Sequence, residues 1–514
     1  MQHKAWLVAL GSALAIACSS DPPTRSFLPP RGGAGGSGGT GGQGASAGTA
    51  GTVDNPVGGG IGGSLVGGFG GGSTEVCRNL QCQQARCAGG ALTTVSGKVF
   101  DPAGRNPLYN VVVYVPNDPV LPLPSGATCD DCAALYTGTP IATALTDATG
   151  SFVLENAPGG TDIPLVIQIG KWRRQYVIPS ITDCQDNPLA EDLLRLPRNR
   201  SEGDIPNIAI STGSADTLEC LLRRIGVDAS EYVPGGGDGR VQIFQGSARE
   251  QGGGFFGMPQ QEVSPNTAPA APMSTAGLWT SVDQLLPYDI VLLSCEGQET
   301  LGMNQQAMLD YANAGGRVFA SHYHYSWFNS GPFGTGNLAV WRRGQNAPMD
   351  GGGPPTDDNL DQVNGSIVTQ LPSGDPFPKG QALLDWLTNV GALQNGALPI
   401  EDSRFNAIVD ATHMDSQSWI TAPGSEGMTA TQYFSFNTPI GGKTEADGPP
   451  YCGRVVFSDL HVGAASGDDP MQPVPNGCTD RELSPQEAAL EFMLFDLSSC
   501  VTPDDVPPKP PVVQ

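Results

Sequence analysis

Two histidines stand one residue apart at the end of a strand-like stretch, RVFASHYHYSW, which runs from Arg317 to Trp327. Residues two apart in an extended chain point the same way, so the imidazoles of His322 and His324 could share a metal ion. His461 or an acidic group would then be the third ligand. The residue types suit zinc or another divalent metal ion.

A different chemistry would use Cys295, which follows the stretch YDIVLLSC. A thiol in a cleft is activated by a neighbouring imidazole, so Cys295 and His461 could form a nucleophile and its base. Glu296 and His322 are further catalytic candidates at the same place. The structural alternative is that the histidines hydrogen-bond strand ends and loops while Cys295 is buried or disulfide-bonded. Neither spacing distinguishes these alternatives.

Aromatic residues adjoin the two histidines. Tyr325 and Trp327 could line a sugar-binding floor, because aromatic faces suit the apolar surfaces of sugars. They could equally be core residues beneath a neighbouring segment.

Strand and helix patterns alternate from residue 204 onward and predict a parallel sheet with helices on both faces. Ligands bind outside the carboxyl ends of such strands. Cys295, His322 and His461 each follow a predicted strand, so we expect them to meet at one edge. The predicted strands are IPNIAIST, RVQIFQG, YDIVLLSC, RVFASH and GRVVFSDLH, and helices are predicted to begin at Asp216, Asn304 and Ser484, the first and last with capping boxes. A segment from about 326 to 450 is predicted to be an insertion over the sheet.

The motifs YDIVLL at 288–293, AGGRVF at 314–319 and GRVVFSDLH at 453–461 resemble class I glutamine amidotransferase-like domains of the trehalose-utilisation type. The resemblance implies a flavodoxin-like α/β domain over 204–500. It also implies a cysteine in a Gly-x-Cys-x-Gly elbow, but this chain has Ala-Ser-His-Tyr-His at that place. Glutaminase chemistry is therefore not expected.

The stretch from 93 to 200 has short strand patterns separated by turn residues, which predict a β-sandwich. VSGKVFD at 95–101, NVVVYV at 110–115 and TDATGSF at 146–152 resemble the carboxypeptidase regulatory-like domains, which have a transthyretin-like fold. The resemblance implies a spacer or ligand-presenting module without catalysis. A Cys-containing connector at 77–92 precedes it, and a Pro-rich tail at 501–514 ends the chain.

The first 18 residues have a basic start and a short apolar run, which indicate a secretory signal. The run ends in Ala-Ile-Ala-Cys and resembles the lipobox of bacterial lipoproteins, with Ala15 where leucine is usual. The resemblance implies a lipid on Cys18, and Ser19 favours the outer membrane. Residues 19–76 are predicted to be a glycine-rich disordered linker.

The 514-residue chain has a net charge of −25, which argues against a nucleic-acid partner. Eleven cysteines follow Cys18, and in an exported protein they predict disulfides with one thiol left over. We therefore expect a multidomain cell-envelope lipoprotein that presents a non-catalytic binding or structural module to a carbohydrate or an envelope protein. The alternative is an extracellular hydrolase of a saccharide or peptide.

Overall fold

The computed structural model describes residues 77–129, 132–213, 216–246, 271–297, 299–300, 302–342, 362–401, 403–424, 428–443, 450–462, 467–469 and 472–513. The predicted signal, the lipid attachment site Cys18 and the linker at 19–76 lie outside these residues. The described chain is rich in β-structure, with several sheets and few helices. Within it, no helix combines the length and apolar character needed to cross a membrane.

Two four-stranded sheets pack together between residues 94 and 195. One has the order β4-β1-β7, with β8 also paired to β1, and the other has the order β3-β2-β5-β6. Valines of β1 and β2 alternate into the space between the sheets, where Val95, Val99 and Val113 are fully buried. The strands are β1 (Thr94–Phe100), β2 (Val112–Pro116), β3 (Pro140–Leu145), β4 (Ser151–Glu155), β5 (Gly160–Ile169), β6 (Trp172–Ile181), β7 (Asp186–Pro188) and β8 (Leu194–Arg195).

The motif TDATGSF forms the turn between β3 and β4. The Asp147 carboxylate accepts hydrogen bonds from the backbone N–H groups of Thr149 and Ser151 at 2.8 and 3.0 Å. Gly150 has a φ of 73°, and a Cβ there would lie 2.7 Å from Pro107 Cβ. Both the backbone conformation and the close approach therefore require glycine at this position.

The remaining strands form one ten-stranded mixed sheet in the order β10-β11-β9-β12-β13-β20-β19-β18-β15-β16. Strands from β10 to β20 in this order run parallel, and those beyond β20 pair antiparallel. The strands are β9 (Ile208–Thr212), β10 (Tyr232–Pro234), β11 (Val241–Gln245), β12 (Ile290–Leu293), β13 (Arg317–Ser321), β15 (Gln362–Ile367), β16 (Leu398–Glu401), β18 (Ser416–Pro423), β19 (Thr429–Thr438) and β20 (Gly453–Ser458), while β14 (Val340–Trp341) and β17 (Ala407–Ile408) form a separate pair.

The segment at 326–450 corrects the prediction of an insertion over the sheet. It supplies β15, β16, β18 and β19, which continue the sheet in its own plane beyond β20. The physical reason is that β19 is buried on both faces along nearly its whole length and therefore pairs beside β20 as an inner strand.

Six α-helices accompany the sheets in the described chain. The predicted capping box at Ser484 is present, because Ser484 Oγ accepts from the Glu487 N–H and the Glu487 carboxylate accepts from the Ser484 N–H. The prediction that Asp216 caps a helix is wrong: the helix begins at Leu218, and Thr217 is its N-cap. The helices are α1 (Leu218–Arg224), α2 (Ser274–Gly277), α3 (Val282–Leu285), α4 (Gln305–Asn313), α5 (Pro378–Asn389) and α6 (Pro485–Ser498).

The sandwich and the ten-stranded sheet share a continuous core within one compact unit, residues 74–514. Helix α6 lies in this core, with Phe495 5.8 Å from Trp172 and Phe492 5.7 Å from Tyr109, measured between ring centroids. Two disulfides, Cys129–Cys452 and Cys132–Cys500, link the two parts as well. The other bridges are Cys77–Cys82, Cys87–Cys184 and Cys220–Cys478, each within one part, and the predicted leftover thiol is Cys295.

Candidate functional site

The exits of three adjacent parallel strands meet as the sequence predicted. The strands β12, β13 and β20 are neighbours in the sheet, and Cys295, His322 and His461 follow them. One ligand atom from each of these three side chains lies within 4.8 Å of the other two. Only 0%, 5% and 3% of their respective surfaces are exposed. The three side chains therefore form a cluster, and this cluster is enclosed by the protein.

His322 is held in an unusual backbone conformation. It directly follows β13 and begins a 3-10 helix, His322–Trp327, and its φ of 45° lies in the left-handed region that non-glycine residues avoid. The turn places His322 Nδ1 3.2 Å from Cys295 Sγ. It also places the imidazole ring 5.0 Å from the His461 ring, measured between centroids. Such strain is typical of positions whose side chain must be aimed at a site.

Asp216 links the two histidine loops. Its Oδ2 accepts from Ser321 Oγ at 2.5 Å, and its Oδ1 accepts from the Val462 N–H at 2.9 Å. These partners adjoin His322 and His461 in sequence, so one buried carboxyl holds both loops together. Burial raises the pKa of Asp216 to about 6. The sequence signal was present at Asp216, but it pointed to a helix cap.

His324 corrects the prediction of a shared His322 and His324 metal site. The 3-10 helix replaces the extended chain on which that prediction rested, so the two side chains diverge. His324 Nε2 lies 2.8 Å from the Ser294 carbonyl, and its Nδ1 lies 2.8 Å from Thr300 Oγ1 and accepts from Trp327 Nε1 at 3.1 Å. Both ring nitrogens are therefore occupied by structural hydrogen bonds.

Burial disfavours the charged form of each group in the cluster. Burial lowers the pKa of His322 well below its usual range, with a further contribution from His461, and lowers the pKa of His461 to about 3. Burial likewise raises the pKa of the Cys295 thiol to about 12. Burial disfavours every charged form, which leaves a thiol beside two neutral imidazoles.

The segment after β16 brings groups that sequence reasoning missed. Arg404 lies near enough to the cluster to depress the pKa values of both histidines, though less than burial does. The Asn406 N–H donates to Asp459 Oδ2 at 2.8 Å, and burial raises the pKa of Asp459 to about 7. No motif marks Arg404 or Asn406, because only the chain path beyond β16 returns them to the strand exits.

Glu296 is buried but is not part of the three-residue group. A Cβ built on Gly246 would lie 3.0 Å from Glu296 Oε1, so this carboxylate lies beside the exit of β11. Strands β9 and β12 lie between that exit and β13. Glu296 is therefore directed away from the paired histidines.

Tyr325 and Trp327 are core residues, which is one of the two alternatives that the sequence left open, the other being a sugar-binding floor. Both side chains are fully buried. The Trp327 ring packs edge-on against Trp279 at 5.2 Å between centroids, and the Tyr325 hydroxyl donates to the Glu299 carboxylate. The closely spaced aromatic residues at 323–328 belong to one buried hydrophobic cluster.

Comparisons with known proteins add no family. No family model and no curated protein matches the chain. Two type II cohesin–X-dockerin complexes from Acetivibrio cellulolyticus match at 17% identity, over 24% and 26% of this chain and 76% and 85% of those chains, with TM-scores of 0.14 and 0.16. A 9R-lipoxygenase from Cyanothece matches at 16% identity, over 20% of this chain and 16% of that chain, with a TM-score of 0.11. Similarities this weak support no statement on fold or function.

Proposed function

We propose that the protein is an exported lipoprotein, anchored to the outer membrane through Cys18, that presents a non-catalytic binding or structural module. A carbohydrate or an envelope protein is the proposed partner. The C-terminal half is proposed to be a flavodoxin-like domain of the amidotransferase-like type. Its strand order, β11-β9-β12-β13-β20, supports this proposal, because numbering these strands along the chain gives 2-1-3-4-5, the flavodoxin-like order.

The burial of the chemically capable residues is the observation that carries the non-catalytic proposal. A nucleophile must reach the substrate, yet Cys295 has no exposed surface and its Sγ lies 3.2 Å from His322 Nδ1. The strained turn after β13, where an amidotransferase-like elbow would hold its cysteine, holds His322 instead. Under this proposal, His322 occupies the place of the nucleophile.

Slow alkylation of Cys295 is the first expected result. Iodoacetamide should label the native protein about a thousandfold more slowly than the urea-unfolded protein, because labelling requires an opening of about 4 kcal/mol. Cys295→Ser should lose the labelled site in urea, which identifies the thiol. Rapid native labelling of Cys295 would contradict the proposal and favour the extracellular hydrolase of a saccharide or peptide, with Cys295, His322 and His461 as its site.

Lipid attachment is tested separately in the full chain. Labelled palmitate should appear on the wild type and on Cys295→Ala, and it should be absent from Cys18→Ala. Cys18→Ala should also be absent from the membrane fraction, because each buried methylene of an acyl chain contributes about 0.8 kcal/mol to the free energy of membrane binding. Equal palmitate labelling of Cys18→Ala would refute the anchor.

A further inference from the structure

The cluster at the strand exits contains an unsatisfied buried nitrogen. His461 is 3% exposed, and its Nε2 atom has no hydrogen-bond partner within the described part of the chain. Buried polar atoms are nearly always bonded, so an isolated ring nitrogen needs an explanation, and an ion is one. His461 belongs to the same group of potential ligands as Cys295 and His322.

We propose that Cys295 Sγ and the imidazoles of His322 and His461 bind one divalent ion of the zinc class. The inference goes beyond the proposed function and uses the buried cluster at the strand exits. One thiolate and two imidazoles are soft and borderline ligands that suit zinc, whereas magnesium and calcium prefer oxygen. With three protein ligands, the fourth position of a tetrahedral ion is left to water.

The distances are close to those that the ion requires. Zinc lies about 2.3 Å from sulfur and about 2.0–2.1 Å from imidazole nitrogen, so tetrahedral ligand atoms are separated by about 3.4–3.6 Å. Cys295 Sγ lies 3.2 Å from His322 Nδ1, and the group as a whole lies within 4.8 Å. Small side-chain rotations therefore suffice to convert the hydrogen-bonded group into a coordination shell.

The surrounding residues hold the three ligands in place. Asp216 bonds to Ser321 and Val462, which adjoin the two histidines. The Gln486 side chain donates to the carbonyl of His461. The His324 ring is joined to the carbonyl of Ser294, next to Cys295. Ligands positioned by such bonds lose little entropy when the ion binds, and Asp216, Gln486 and His324 are positioning residues.

Metal binding also has a defined proton balance. The Cys295 thiol loses its proton to solvent when sulfur bonds to the ion, and neutral imidazoles donate lone pairs without losing a proton. One proton is therefore released per ion, and the affinity should rise with pH.

The test uses the full purified chain after treatment with a chelator, and cobalt(II) and zinc(II) are the probes. Cobalt should bind at about one equivalent and produce a thiolate-to-cobalt charge-transfer band, which excess zinc should remove. Cys295→Ser keeps a hydrogen-bonding group but should lose the band. His461→Asn should weaken binding at least about 100-fold. His413→Asn is the matched control, because His413 is buried but bonds to Asp410 in another loop.

The outcomes separate this inference from the proposed function. A folded wild type that binds neither cobalt nor zinc overturns the metal site, while slow alkylation of Cys295 would still support the non-catalytic proposal. Binding that survives in both Cys295→Ser and His461→Asn overturns the placement of the ion. Binding of copper(II) without zinc or cobalt overturns the zinc-class assignment. Loss of binding in His413→Asn would show a general effect on folding and would likewise contradict the specific site.

Discussion

Replacement of Arg224 by methionine is expected to lower the free energy of unfolding by about 3–5 kcal/mol. The Arg224 guanidinium is fully buried between Glu487, at 2.7 Å, and Asp468. Glu487 also belongs to the capping box of α6, and Asp468 accepts from the Thr479 N–H. Methionine fills similar space but leaves two buried carboxylates without their shared cation.

Urea unfolding monitored by fluorescence measures this decrease in the free energy of unfolding. Lys98→Met is the matched control. Lys98 pairs with Glu191 at 2.9 Å, but their side chains are 40% and 73% exposed. Exposed pairs of this kind contribute about 0–1 kcal/mol, so the control variant should stay within 1 kcal/mol of the wild type. Equal losses in the two variants would show that burial does not decide the strength of these ion pairs.

Replacement of Glu491 by glutamine is expected to stabilise the protein more at pH 7 than at pH 4.5, by up to about 3 kcal/mol. Glu491 in α6 and Asp101 after β1 are buried carboxyls whose charges interact across the junction of the sandwich and the sheet. Burial, reinforced by the Asp101 charge, raises the pKa of Glu491 well above its usual range. Burial also raises the pKa of Asp101 to about 6.

The direction of the effect follows from proton counting. Above pH 4.5 the unfolded chain releases the Glu491 proton while the folded protein retains it, so the folded state binds more protons and becomes less stable as pH rises. Glutamine is neutral at every pH and removes this loss. Its amide can donate to Asp101 and accept from Asn106, which now donates to Glu491 at 2.5 Å.

Measurements of unfolding free energy at both pH values test this prediction, and Glu155→Gln is the control. Glu155 is exposed at the end of β4, so its variant should follow the wild-type pH dependence. If Glu491→Gln differs from the wild type by the same amount at pH 4.5 and pH 7, the Glu491 proton is not the cause of the pH dependence.

The hydrophobic patterns of the sequence determined most elements. A short apolar run such as YDIVLLSC predicts a buried strand without knowledge of its neighbours in the sheet. The Ser484 capping box depends only on two residues three positions apart. The spacing also placed Cys295, His322 and His461 correctly, because carboxyl ends of adjacent parallel strands share an edge. The odd cysteine count predicted one thiol outside the disulfides.

Tertiary structure alone decided which side chains meet and which turn away. A single left-handed residue at His322 starts a 3-10 helix and sends His324 into a structural network, which a local pattern of alternation does not reveal. Arg404 reaches the site and β19 joins the sheet only because distant segments pack beside β20. Disulfide pairing and the buried Arg224 ion pairs likewise depend on contacts between residues hundreds of positions apart, whose free energy is decided by burial and not by sequence spacing.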